Sequence, residues 1–277
     1  MKRVHVPEVE DWSLCPGWFR DCLTRQIRVM CRVMGYEHAV ASVLEAALEG
    51  EQDLRILDMG SGAGGIMPEV LKALRARGGA LAGVRVSLSD RFPNRDAIAS
   101  IQELQIDGLE YLEVPIDATD LAAAPEGVKT MVNSFHHLRP AKARAVLESA
   151  HALKTPILVF ELADNRLPFA LWAMTLPLGL AVTFFISLLL TPFVRPLTAR
   201  QLLFSYLIPL VPLIYAWDGQ ASYPRIYGPS DVDELTAGLD DGYTWTSGHG
   251  ENHRGQKTGF YLLGTPSAPR GRGASDT

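Results

Sequence analysis

Apolar positions along the chain fall into two regimes. From residue 16 to 49 they recur at helical spacing (Trp18, Phe19, Leu23, Ile27, Met30, Val33, Met34) up to Gly50, which predicts an N-terminal helical region. Five short apolar runs follow at 54–59, 84–89, 110–116, 129–133 and 156–161. Helical stretches separate them, at about 66–77 after the first and 140–153 after the fourth. Strands alternating with helices predict a parallel sheet covered on both faces. Near the end, 243–247 and 258–263 flank a loop rich in glycine and histidine and read as an antiparallel pair. The expected fold is α/β: a Rossmann-like, mostly parallel sheet with an antiparallel C-terminal strand pair, an N-terminal helical lid and a hydrophobic helical insertion. The domains expected are a lid at 1–50, a main domain at 51–266 interrupted by an insertion at 167–217, and a small, polar, disordered tail at 267–277.

The insertion breaks the alternation. Residues 167–194 contain no charge, nor do residues 201–217. At about 1.5 Å per residue, 168–190 reaches across the roughly 30 Å hydrocarbon core of a bilayer. The second run is short for a span, at about 25 Å, and carries Pro209 and Pro212; Pro177 is expected to kink the first. If the last strand pair completes the sheet, both ends of the insertion lie on one side of any membrane, so two crossings or none are allowed. The expectation is a helical hairpin that dips into a bilayer or roofs an apolar pocket, with a double span or a buried or dimer-forming hairpin as alternatives. Arg195 and Arg200 at its turn resist deep burial.

Composition changes the picture little. The 277 residues are 47% hydrophobic and 21% charged, which fits an ordered globular chain. A formal charge of -5 argues against nucleic acid as a partner. Cys15, Cys22 and Cys31 have neither CxxC nor CxxH spacing, so no metal site or disulfide framework is expected, and a reducing cytoplasmic setting fits. Residues 1–15 hold acids and no apolar core, so no secretory leader is expected.

The candidate chemistry lies at the ends of the runs. The first leads through Asp58 into Gly60, Ser61, Gly62, Gly64 and Gly65, then into a helix. Glycines permit a tight turn and close approach of a ligand, and the helix start offers free N–H groups to an anion such as a carboxylate. Gly60, Gly62 and Gly65 also satisfy a dinucleotide pattern. A pyrophosphate gains nothing from Asp58, whereas a ligand bearing an ammonium and a sulfonium does. Asp90 ends the second run, suited to ribose hydroxyls, and Asp117 follows the third, suited to an adenine amino group. Together they describe a cationic adenosyl ligand at the carboxyl edge of the sheet.

Residues 54–164 resemble the core of the class I S-adenosylmethionine-dependent methyltransferases, whose first motif is closely matched by ILDMGSGAGG. The resemblance implies S-adenosyl-L-methionine as cofactor. Asp58, Gly60, Gly62 and Gly64 would hold its methionine part, Asp90 its ribose and Asp117 would face its adenine. Ser61, Arg91, Ala118 and Asn133, in the same segments, are expected to line the site. Segments SDRFPN, NSFHHLRP and LLFSYLIPLVPLIYAWDG are similar to a group of bacterial methyltransferases that carries no substrate over.

Methyl transfer needs in-line placement, and a base only where the acceptor carries a proton. His136 and His137 follow the fourth run, and Glu161 ends the fifth, where it either orients a histidine or walls the pocket. His136 is the preferred base; the plainer account packs one histidine and leaves the other lining the pocket. Two adjacent histidines give poor zinc geometry, so the expected metal content is none. Trp18, Phe19, Met30, Met34 and Tyr36 either cover the cofactor or simply pack. Asp218, Ser222, Arg225 and Tyr227 either face the acceptor or form a turn. The expected activity is methylation of a small, lipophilic acceptor by a cytoplasmic enzyme that touches the inner face of the membrane through 167–217 or forms a homodimer. The alternatives are an NAD-dependent oxidoreductase and a non-catalytic, membrane-docked module that binds an adenosyl ligand.

Overall fold

The computed structural model describes residues 1–12 and 14–267; the tail expectation lies outside them, apart from Ser267. Seven strands form one sheet in the order β3-β2-β1-β4-β5-β7-β6. The strands are β1 (Arg55–Met59), β2 (Arg85–Ser89), β3 (Leu109–Tyr111), β4 (Val128–Val132), β5 (Ile157–Glu161), β6 (Tyr243–Glu251) and β7 (Lys257–Pro266). The first five are parallel, and β7 runs antiparallel between β5 and β6. The helices are α1 (Gly17–Met34), α2 (Tyr36–Leu48), α3 (Met67–Arg75), α4 (Arg95–Glu103), α5 (Pro140–Ala152), α6 (Phe169–Leu190), α7 (Ala199–Leu202), α8 (Leu210–Ser222) and α9 (Pro229–Thr236).

Strand periodicity sorts the core. Ile56, Leu158 and Phe160 face a layer made by α2, α3 and α4. Leu57, Met59, Ile157 and Val159 face the opposite layer, made by α5 and α9. Chain order reverses at β1, whose neighbours are β2 and β4, so a crevice opens at the carboxyl ends of these strands.

Some sequence expectations are corrected. The N-terminal region is two helices, because Gly35 adopts a left-handed conformation (φ 73°) between them. Its second half is no lid: α2 is part of the main core, whereas α1 packs with α8 in a separate cluster through Phe19, Cys22, Leu23, Val211 and Tyr215. The third strand is short, because after the Leu112 N–H bonds the Leu88 carbonyl the chain turns back to Asp90. Pro177 stands inside α6 without ending it. The second apolar run bends by 79° between Ala199–Leu207 and Leu210–Arg225.

Helices α6 and α8 form the expected hairpin. The Gln220 amide donates to Thr183 Oγ1 (3.1 Å), the Trp172 indole to the Gln220 carbonyl (3.1 Å) and the Tyr206 hydroxyl to the Leu188 carbonyl (2.9 Å). Gln26 of α1 donates to the Ser187 carbonyl and to Thr191 Oγ1, anchoring the far end of α6. Only Trp172 and Ser187 of α6 are buried. Met174, Leu178, Val182, Phe185 and Leu189, at helical spacing, stand 48–72% exposed.

Candidate active site

Asp58 lies under the glycine turn, almost fully buried. It accepts from Ser61 Oγ (2.6 Å) and Thr130 Oγ1 (2.7 Å). Burial pushes its carboxyl up to about 7, partly offset by these hydrogen bonds. The Ser61 hydroxyl is engaged inside the turn, where it also accepts from the Ser89 N–H (3.2 Å). Asp90 accepts from the Gly62 N–H (3.0 Å) and the Phe92 N–H (2.8 Å), so it braces the turn.

The turn leaves room for a ligand. At Gly62 (φ 53°) a Cβ would meet nothing within 4 Å, so that side is open. At Gly64 (φ 92°) a Cβ would sit 2.7 Å from Ile101 Cδ1, which shows how closely the turn packs on α4. Asp117 lies in the loop after β3, bonded by Thr119 N and Oγ1 and 3.3 Å from Arg91 Nη1. Ala118 packs on the α5 side of the core. Asn133 follows β4 in a left-handed conformation (φ 54°), which asparagine adopts more readily than other non-glycine residues.

His136 and His137 lie on a short turn (Phe135–His137) after β4. Glu161 accepts both the His136 N–H (2.9 Å) and its ring Nδ1 (2.7 Å) and so orients that ring. Burial lowers the pKa of His136 in spite of Glu161. His137 is partly exposed, and its Nδ1 pairs with Asp11 (2.8 Å). Burial opposes the charge on His137, but the Asp11 bond and the charges of Glu8, Glu10 and Asp11 raise it. The two rings lie side by side, with centroids 4.3 Å apart and planes tilted by 33°.

The sequence reading missed what holds this corner. Residues 1–12 cross it as a strap. The Arg3 guanidinium donates to the His136 carbonyl (2.8 Å), the Trp217 indole to the Pro7 carbonyl (3.0 Å), and Asp218 accepts the N–H groups of Val9 (2.7 Å) and Glu10 (3.2 Å). Fully buried Arg225 bonds Asp11 (2.7 Å) and lies 2.8 Å from Glu8, off the line of a good hydrogen bond; neither Glu8 oxygen receives one. Burial pushes Glu8 up. The only hint in the sequence was a run of acids (Glu8, Glu10, Asp11) ahead of the first helix.

A cavity of about 140 Å³ lies beside the crevice, between α1, α8 and the ends of β4 and β5. Ile27, Met30, Tyr215 and Tyr223 line it, with Asn133, Glu10 and Asp218 as polar points. Burial pushes Asp218 up to about 7, partly offset by the Val9 N–H. Neither histidine lines this cavity. Of the aromatic and methionine residues weighed as a cover, Met30 faces it; Tyr36 is in the core, bonding the Leu162 carbonyl, and Met34 is exposed.

No family model and no curated protein matches the chain. Solved structures do. Human N-acetylserotonin methyltransferase in complex with SAM is similar over 90% of this chain and 57% of its own, at 12% identity and a TM-score of 0.50. Mitomycin 7-O-methyltransferase matches 86% of this chain and 56% of its own, at 17% identity and a TM-score of 0.44. A SAM-dependent methyltransferase from Aquifex aeolicus matches 81% and 88%, at 14% identity and a TM-score of 0.41. The chain spans little more than half the length of the first two. Its architecture is the class I methyltransferase fold.

Proposed function

We propose that this protein transfers a methyl group from S-adenosyl-L-methionine to a small, apolar acceptor. The observation that carries this is the glycine turn: left-handed at Gly60, Gly62, Gly64 and Gly65, open at Gly62, and floored by buried Asp58 at the point where strand order reverses. The residues fit the donor. Asp58 offers negative charge beneath the amino-acid part, Asp90 and Asp117 offer carboxylates to ribose and adenine, and Arg91 and Asn133 border them. The bound donor supplies an electrophilic methyl carbon.

The chain's own contribution is placement. The cavity at Asn133 seats the acceptor within reach of the crevice, which supplies most of the acceleration for a displacement. Where the acceptor carries a proton, Asp218 takes it: it lines the cavity, and its raised pKa suits a base near neutral pH. His136, His137 and Glu161 then act one step removed, by fixing the β4 end and the strap. The apolar face of α6 docks on a membrane surface, from which the acceptor reaches the cavity beside α8. A contiguous row of exposed apolar side chains of that kind marks an interaction surface.

The test uses methyl-labelled donor with aqueous and organic extracts in turn. Label transferred to the organic fraction supports the reading. Binding of NAD without binding of the methyl donor overturns it. Donor binding with no transfer from any extract leaves only the binding module. Sedimentation with vesicles that withstands high salt supports docking, since apolar burial is not screened. A protein that ignores vesicles refutes docking, and a dimer that hides α6 gives the face to a second copy.

A further inference from the structure

We propose that Glu8, His136 and His137 form a binding site for a divalent first-row transition metal of the zinc or iron(II) class. One carboxylate oxygen and two imidazole nitrogens, from the strap and from the turn after β4, come within 4.8 Å of one another. Nε2 of His136 lies 3.8 Å from one Glu8 oxygen, and Nε2 of His137 lies 3.8 Å from the other. A tetrahedral ion held at about 2.1 Å by each donor requires donors about 3.4 Å apart. The two 3.8 Å contacts are to different Glu8 oxygens, so with one oxygen as ligand the widest separation, up to 4.8 Å, has to close by about 1.4 Å, a side-chain adjustment.

Three further features belong to a metal site. Each ring nitrogen remote from Glu8 is held by a carboxylate, His136 Nδ1 by Glu161 (2.7 Å) and His137 Nδ1 by Asp11 (2.8 Å), the latter with Arg225 Nη2 also 3.3 Å away. The Glu161 pairing fixes the His136 proton on Nδ1 and turns its Nε2 lone pair inward, and the shorter Asp11 contact favours the same tautomer at His137, as metal-ligating histidines require. Glu8 is fully buried; Arg225 lies 2.8 Å from its Oε1, while its Oε2 has no hydrogen-bond partner, a costly state that a second cation relieves. Glu8, Glu10, Asp11 and Glu161 all reach these rings, against two guanidiniums, Arg225 on Glu8 and Arg3 on the His136 carbonyl. Two histidines and one carboxylate with a free position suit iron(II) or zinc. Glu10 Oε1 lies 3.6 Å from His137 Nε2, close enough to serve as a fourth donor. The ion clamps the strap to the end of β4. This inference does not depend on the methyl donor.

The experiment titrates chelator-stripped full-length protein with zinc against a chromogenic chelator. One ion per chain, bound more tightly than micromolar, is expected. Glu8→Gln and His137→Gln should each weaken binding at least 100-fold, and Asp11→Asn about 10- to 100-fold. Cobalt(II) added to the unaltered protein provides a readout that needs no variant, namely the intense visible bands of a low-coordinate site. A cobalt spectrum no stronger than that of the hydrated ion overturns the proposal. So does zinc affinity unchanged in both Glu8→Gln and His137→Gln, or a melting temperature that zinc fails to raise in the unaltered protein.

Discussion

Glu161→Gln isolates how the histidine corner is built. Glu161 takes two donors from one residue, the His136 N–H at 2.9 Å and Nδ1 at 2.7 Å, in a fully buried setting. A glutamine of the same shape has one acceptor oxygen. If that oxygen keeps the backbone N–H, its amide NH₂ faces Nδ1, and the ring proton must move to Nε2. A hydrogen bond to a charged group is replaced by a neutral one, a loss of about 1–1.5 kcal/mol. For a chain of this size that lowers the melting temperature by about 2–6 °C. Glu161→Ala, which strands both donors, should cost about twice as much. Thermal unfolding followed by circular dichroism measures the first effect, and imidazole ¹⁵N spectra report the tautomer. The flip also removes the Nε2 lone pair, so zinc affinity should fall with it. A Glu161→Gln variant that melts within about 1 °C of the parent, with the proton still on Nδ1, would refute the claim that Glu161 sets this ring.

Asp58 should make donor binding depend on pH. Burial raises it to about 7, so the folded chain holds a proton there that the unfolded chain releases. The stability from this group is fully present below its ordinary value near 4 and is lost as pH rises through about 7. A cationic ligand favours the ionised form, so affinity should rise up to about tenfold per pH unit from roughly 5 to 7 and level off above, with proton release seen by calorimetry in two buffers; a flat profile refutes it. Gly64→Ala, whose Cβ would lie 2.7 Å from Ile101 at φ 92°, should lose about 1–3 kcal/mol of stability. Gly62→Ala meets nothing within 4 Å, so it should cost only about 1 kcal/mol of stability yet weaken donor binding more than Gly64→Ala does; equal effects on binding would sink the idea that Gly62 faces the ligand. Gln26→Leu removes the buried amide that donates to Ser187 and Thr191, and should speed hydrogen exchange at the end of α6 while sparing β1–β5; unchanged exchange would show that the anchor lies elsewhere.

The sheet and the glycine turn were legible because their signals are local. Each strand end carries its own marker, Asp58, Asp90 or Asn133, and parallel strands buried on both faces read as continuous apolar runs. The errors also have local causes. Gly35 sits inside an unbroken apolar period, so the period hid a helix end that needs only one left-handed residue. The third run stays largely apolar to Ile116, but its register with β2 stops at Tyr111, where the chain turns so that the Ile116 N–H reaches the Asp90 carbonyl.

The histidine corner was half legible, for a physical reason. His136, His137 and Glu161 sit at strand ends, so sheet topology alone brings them to one edge. Glu8 and Asp11 reach the same edge only because the strap is tied down by Asp218 and Arg225, far along the chain. Asp218 belongs to α8, and α8 is placed by packing on α1 through Val211 and Tyr215, positions that a uniformly apolar run cannot distinguish from its neighbours. A charge-free helix has no polar face from which to read its burial. The strap, α1, α8 and the β4 end are therefore one coupled unit, and the chemistry of the cavity depends on it. A change in the insertion that shifts Asp218 removes the acceptor of the Val9 and Glu10 N–H groups and leaves Arg225 as the hold on Glu8 and Asp11.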